Sequence, residues 1–326
     1  MLDIIDAYFS LKRECKVSET KEIDQNVNSS PGLYKDFKSE NYEQISLLTS
    51  EWGYNALLVE ILDDLKDADW GEQIKFECED LKYFNHLQGE DVKRPDLSAC
   101  SDRYEDIFNE NELPETEFTT CAWYSSYHYG HKNWGIHIKQ DCLLNRAKLI
   151  WRYNYPYTLT KEDAIKSAFL YTFSHELFHL IVDQAVTLLE IILKDPDIYI
   201  KYFSNVYKHT HKTYPDGALE EALANRYRFG RYKFYNINKG LARAMMKKQP
   251  AGYNRFDEYL GSKFKKGKDE LLNLIITQNV SHSKSQFLPL SDIFNVLDVD
   301  SFHSKNLVPV YIHYKHSKKL MFKLNN

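Results

Sequence analysis

The feature that most limits what this chain can be is the run Ser174-His175-Glu176-Leu177-Phe178-His179-Leu180, set inside a long apolar-periodic segment. On a helix, His175 and His179 are four residues apart and project from one face, so their imidazoles converge. Two converging imidazoles are half of a zinc site, and the carboxylate of Glu176 between them can reach a water held by the metal. Thr160-Lys161-Glu162-Asp163 reads as an N-cap with an acidic third helical residue, and the helix is expected to run to near Lys194, where Pro196 ends it. Phe169, Phe173, Leu177, Leu180 and Ile181 make that helix broadly buried. A buried His-Glu-His trio is costly without a partner, and zinc is a partner that satisfies it.

A catalytic zinc needs a third protein ligand and an open coordination position. The stretch Asp216-Gly217-Ala218-Leu219-Glu220-Glu221-Ala222-Leu223-Ala224-Asn225-Arg226-Tyr227 reads as a second helix, capped by Asp216 after Pro215 and stopped at Gly230. Glu221 and Asn225 are four apart and share a face. Ala218, Ala222 and Ala224 keep the helix slender, so its backbone can come close to the first one. Glu220 is the rival third ligand, pointing about a hundred degrees around the helix from Glu221.

His175-Glu176-x-x-His179 followed by Glu221-x-x-Ala224-Asn225 resembles the gluzincin arrangement of zinc peptidases. It is similar to the ImmA/IrrE-type regulatory peptidases and, more remotely, to the CAAX-type prenyl-protein endopeptidases. The resemblance covers about 155–230. It implies that His175, His179 and Glu221 are zinc ligands, that Glu176 is the general base, and that Asn225 accepts a hydrogen bond from the far ring nitrogen of a ligand histidine. The activity implied is hydrolysis of peptide bonds in a protein or peptide substrate, as an endopeptidase, with Zn2+ as cofactor. A second donor for the developing oxyanion would come from His209, His211, Tyr214, Tyr227 or Arg228, and spacing does not choose among them. The alternative is a regulatory or interaction protein with a zincin core and little or no turnover, a reading prompted by the large N-terminal region that carries no catalytic signal.

The rest of the chain sets the frame. With 326 residues, 43% hydrophobic and 27% charged, it has the composition of a folded protein with more than one structural unit. A net charge of −5 with interspersed signs gives no general pull toward nucleic acid or anionic membrane, so neither is expected as a partner. Arg231-Tyr232-Lys233-Phe234-Tyr235 interleaves basic and aromatic residues, but no nucleic-acid-binding motif accompanies it. Cys15, Cys78, Cys100, Cys121 and Cys142 are scattered and read as reduced thiols. The start of the chain lacks the pattern of a secretory signal and no apolar run reaches spanning length, so the expectation is a cytoplasmic protein.

Apolar periodicity predicts helices at about 42–66 and 72–87, and a short one near 103–108. Strands are expected at 118–124, 134–139 and 147–153, a small sheet whose edge could take an extended peptide. His128, His131 and His137 in that region read as surface or core histidines, since no carboxylate stands at diagnostic spacing. A helix is predicted at 269–278 and a terminal hairpin from Val308–Tyr314 and Leu320–Leu324. The fold class expected is α+β. A mainly helical region (1–115) precedes a zincin-like core (116–235) with a small mixed sheet and two ligand-bearing helices, and a helical region ending in a β-hairpin (236–326) follows it.

Overall fold

A computed structural model of the protein describes residues 42–48, 70, 73, 121–129, 134–154, 159–207, 219–231, 236–279 and 307–313. The described elements are α+β. Strands β1 (Tyr42–Leu48), β2 (Ala122–Ser125), β3 (Gly135–Lys139) and β4 (Leu307–His313) form one mixed sheet in the order β1-β4-β3-β2. The β1–β4 and β2–β3 pairs are antiparallel and β3–β4 is parallel, so the helices lie in the connection between β3 and β4. Those helices are α1 (Gln140–Tyr153), α2 (Lys161–Leu193), α3 (Ile198–Tyr202), α4 (Leu219–Phe229), α5 (Lys239–Lys247) and α6 (Lys263–Asn279). A π-helical turn (Phe203–Tyr207) continues α3, and 3-10 turns sit at Tyr127–Tyr129 and Tyr253–Tyr259.

Helix α2 is the axis of the structure, 33 residues long and buried along most of its length. Its boundaries are those the sequence specifies. The Thr160 hydroxyl accepts from the Asp163 backbone N–H at 3.0 Å, Glu162 and Asp163 sit in the first turn where the helix dipole favours acids, and Lys194 closes the helix in a left-handed conformation (φ 56°) just before Pro196. The inward faces of the strands (Ile136, Ile138, Val310, Ile312) join α1, α2, α4, α5 and α6 in one hydrophobic core. Among the described residues no helix is long and apolar enough to cross a membrane.

Several expectations are corrected. Tyr42–Leu48 is a strand, not the start of a helix: Ile45 and Leu48 fit a helical step, but the segment pairs with β4 along its whole length, and pairing overrides so short a period. Residues 147–153 are helical. Leu143, Ala147 and Ile150 are all at most 1% exposed at a three-to-four-residue step, which shows the apolar run to be the inner face of α1. Leu307–His313 does form a strand, but it enters the sheet between β1 and β3 instead of pairing with a following strand. Its Pro309 lies just before Val310, where pairing with β3 begins, so the missing N–H falls outside the doubly flanked stretch. Cys121 and Cys142 are not free thiols but a disulfide, with Cα atoms 5.4 Å apart. The Lys139 N–H donates to the Cys121 carbonyl at 2.9 Å and so brings the residue before β2 to the first turn of α1. The helices expected within 49–66 and 103–108, the helix expected at 72–87 apart from Gln73, residue His131, the strand at 320–324 and the other three cysteines lie outside the described residues.

His128 and His137 are core residues. His137 is sandwiched between the rings of Trp123 (4.9 Å) and Tyr311 (4.5 Å) across three strands. His128 sits between two acids. Its Nδ1 lies 2.6 Å from Asp183 Oδ1 and its Nε2 2.7 Å from Glu190 Oε2, all fully buried, and Asp183 also accepts from the Tyr124 hydroxyl at 2.7 Å. Burial pulls the His128 pKa down, but the Asp183 charge and the hydrogen bonds to both carboxylates outweigh it and raise it to about 9. The folded-state pKa lies above the unfolded one, so the stabilisation is complete below about pH 6.5 and is lost as pH rises through about 9. Chemical denaturation of the wild type should therefore show stability falling across pH 6.5–9 more steeply than in His128→Asn. At pH 7, His128→Ala should cost about 3–5 kcal/mol, the usual effect of stranding a buried charge partner.

Candidate metal centre

Helices α2 and α4 pack side by side, with Ala222 and Ala224 buried, and this brings the two sequence motifs together. His175 Nε2 lies 3.0 Å from Glu221 Oε2, His179 Nε2 lies 3.4 Å from the same oxygen, and the two Nε2 atoms are 3.4 Å apart. All three residues are buried, and among the described residues they form the group whose donor atoms could hold a metal ion. The donor set passes a geometric test. Tetrahedral ligands at roughly 2.0–2.1 Å from zinc stand about 3.3–3.4 Å from one another, and the donor–donor distances here are 3.0, 3.4 and 3.4 Å. The chemistry fits as well, since two imidazoles and a carboxylate form a zinc donor set that leaves a fourth position.

Glu220 and Glu221 meet different ring nitrogens. Glu221 meets the Nε2 side of both imidazoles, whereas Glu220 Oε1 lies 2.7 Å from His179 Nδ1, on the far side of that ring. Glu220 thus stands where the resemblance would put Asn225, against the far ring nitrogen of His179. Asn225 does something else. Its Nδ2 donates to Gln249 Oε1 and to the Tyr253 carbonyl, both at 2.7 Å, while its Oδ1 accepts from Arg228. It reaches the site indirectly, by holding the backbone of Tyr253, whose ring lies nearly parallel to His175 at 5.8 Å. His175 Nδ1 is buried without a hydrogen-bond partner among the described residues.

Three tyrosines complete the site. The Tyr202 hydroxyl donates to Glu220 Oε2, the Tyr207 hydroxyl to Glu221 Oε1, and Tyr253 also hydrogen-bonds Glu221. Burial, reinforced by the neighbouring glutamate charges, raises all three phenol pKa values well above normal, so they stay protonated as donors. None is marked out by the sequence. Tyr202 and Tyr207 lie in the long connection between the motifs, and Tyr253 follows them on a 3-10 turn, where no spacing rule applies. Of the residues expected as oxyanion donors, Arg228 is buried over the Tyr171 ring at 4.0 Å and Tyr227 packs against Phe178 and Arg231. His209, His211 and Tyr214 lie outside the described residues.

Electrostatics divide the trio. Burial lowers the His175 pKa to about 4, with the Arg228 and His179 charges adding to it against Glu221. For His179 burial also pulls down, but Glu221 and Glu220 overcome it and hold the pKa well above normal. The Glu221 carboxyl, which burial alone would raise, is held well below its usual range by the two histidines. Burial pushes Glu176 up to about 7, and its carboxylate feels both His179 and Glu221.

No protein-family model, no curated protein and no solved structure gives a significant match to this chain. The geometry of the site is therefore the ground on which a function can be argued. It predicts different outcomes for the two adjacent glutamates. Glu221→Gln should abolish stoichiometric zinc binding, whereas Glu220→Gln should keep the stoichiometry and weaken affinity by roughly 10–100-fold, read by competition with a chromogenic chelator.

Proposed function

We propose that this chain is a zinc-dependent peptidase with a zincin-type core, in which His175, His179 and Glu221 hold the metal and Glu176 is the general base. The observation that carries this reading is the convergence of the three donor atoms at the mutual distances of zinc ligands, from the two segments that resemble gluzincin motifs. Zinc bound there supplies a Lewis acid and a water acidic enough to be a nucleophile at neutral pH.

The chain's own residues supply the rest. Glu176, one residue from His175 on α2, takes the proton of the attacking water and returns it to the leaving amine. Glu220 and Tyr202 keep the His179 ring turned toward the metal. Tyr207 and Tyr253 present phenol donors on Glu221, within reach of charge that develops beside that carboxylate. Among the described residues β2 is one of the two edges of the sheet, β1 being the other, and β2 touches α2 through Tyr124 and Asp183, one turn beyond His179. An extended peptide adding to that edge suits a protein or peptide substrate.

One observation favours the alternative of a metal-bearing regulatory protein with little turnover: His175, Glu176, His179 and Glu221 are all at most 8% exposed, which restricts access to the group. A single experiment separates the two. Wild type and Glu176→Gln are assayed for zinc content and for cleavage of a dye-quenched unfolded casein. The peptidase reading predicts equal zinc and a loss of cleavage of about 10²–10⁴-fold in Glu176→Gln. Equal zinc with no Glu176-dependent cleavage would establish the regulatory reading in its place.

A further inference from the structure

Outside the metal group, the described residues hold one other fully buried set of charges, His128 with Asp183 and Glu190, and contacts lead from it to the ligands. Glu190 uses both of its oxygens. Oε2 lies 2.7 Å from His128 Nε2, and Oε1 accepts the backbone N–H of Tyr199 at 2.8 Å, at the start of α3. The Tyr199 ring stacks on His128 at 4.5 Å and 19°. Three residues further on, Tyr202 donates to Glu220 Oε2, and Glu220 Oε1 meets His179 Nδ1 at 2.7 Å. The π-helical turn that continues α3 then delivers Tyr207 to Glu221.

A helix of five residues has almost no stability of its own, so the place of α3 is set by what it touches. Its entry is docked on Glu190 and His128, and its exit on the two glutamates of the metal group. If His128 is lost, Glu190 becomes a buried carboxylate with no cationic partner, and the acceptor that fixes Tyr199 must recruit a proton or water. The disturbance enters α3 three residues before Tyr202.

We propose that His128 is a positioning residue for the metal group, acting through Glu190, α3 and the Tyr202–Glu220 pair on the His179 ring. This rests on the reading of His175, His179 and Glu221 as a zinc site, and its test reads metal affinity rather than turnover. Zinc affinity of the full chain is measured by chelator competition for wild type, His128→Asn, Tyr202→Phe and the double variant, with far-UV circular dichroism confirming that each is folded. His128→Asn and Tyr202→Phe should each weaken zinc by roughly 10-fold, near the lower end of what changes behind a ligand cost. The double variant should be no weaker than Tyr202→Phe alone, because the His128 effect travels through that hydroxyl.

A folded His128→Asn with wild-type affinity, or two losses that simply multiply in the double variant, would overturn the proposal. If His128→Asn does not fold, Glu190→Gln carries the same cycle, since its amide oxygen can still accept the Tyr199 N–H while the ion pair is gone. A wild type that binds no zinc overturns the metal reading itself. That result is distinct from a zinc-binding wild type whose affinity ignores His128.

Discussion

A buried polar or ionisable group must be paired, and the arrangement of this structure follows from how many such groups α2 carries. His175, His179, Asp183 and Thr187 stand at four-residue steps on one face of the helix, with Glu190 three residues beyond, and all are buried. Leaving any of these ionisable groups without a partner would cost several kcal/mol, on the order of the net stability of a domain. The elements that surround α2 are those that bring partners. Helix α4 brings Glu220 and Glu221 to the histidines, and the segment 124–128 brings Tyr124 and His128 to Asp183 and Glu190. The short α3 lies between these two groups and contributes to both.

A polar network of this kind is stable only when its members are satisfied, and here tyrosines satisfy many of them. Each glutamate of the metal group turns one oxygen to an imidazole and the other to a phenol. A phenol suits that position because it donates one strong hydrogen bond, keeps its proton beside a carboxylate, and fills apolar space with its ring. The rings also pack directly on the two histidines, Tyr253 nearly parallel to His175 and Tyr207 edge-on to His179.

What the sequence discloses and what it withholds divide along physical lines. Helix α2 and its ends are legible because cap, period and breaker all agree, and helix α4 because alanines and paired glutamates sit before a glycine. The pairing of His175 and His179 with Glu221 follows from helical spacing plus close packing. The role of Glu220 does not, since it depends on which ring nitrogen faces which helix, a matter of tertiary approach. For the same reason Asn225, on the right face of α4, is drawn to Arg228, Gln249 and Tyr253. Tyr42–Leu48 and Ala147–Tyr153 mislead for another cause: a short apolar run fits either period, and only the partner it meets decides. The same holds for His128, whose two carboxylates lie about sixty residues away in the chain.

The Cys121–Cys142 bond, 21 residues apart in sequence, encloses β2, the turn bearing His128 and β3 in one covalent loop. A closure of that length removes about 3 kcal/mol worth of freedom from the unfolded chain. The segment that supplies His128 is therefore fastened in two ways, by a bond that answers to electrons and by an ion cluster that answers to protons. The redox poise of the compartment in which the chain folds sets whether the first of these fastenings is in place.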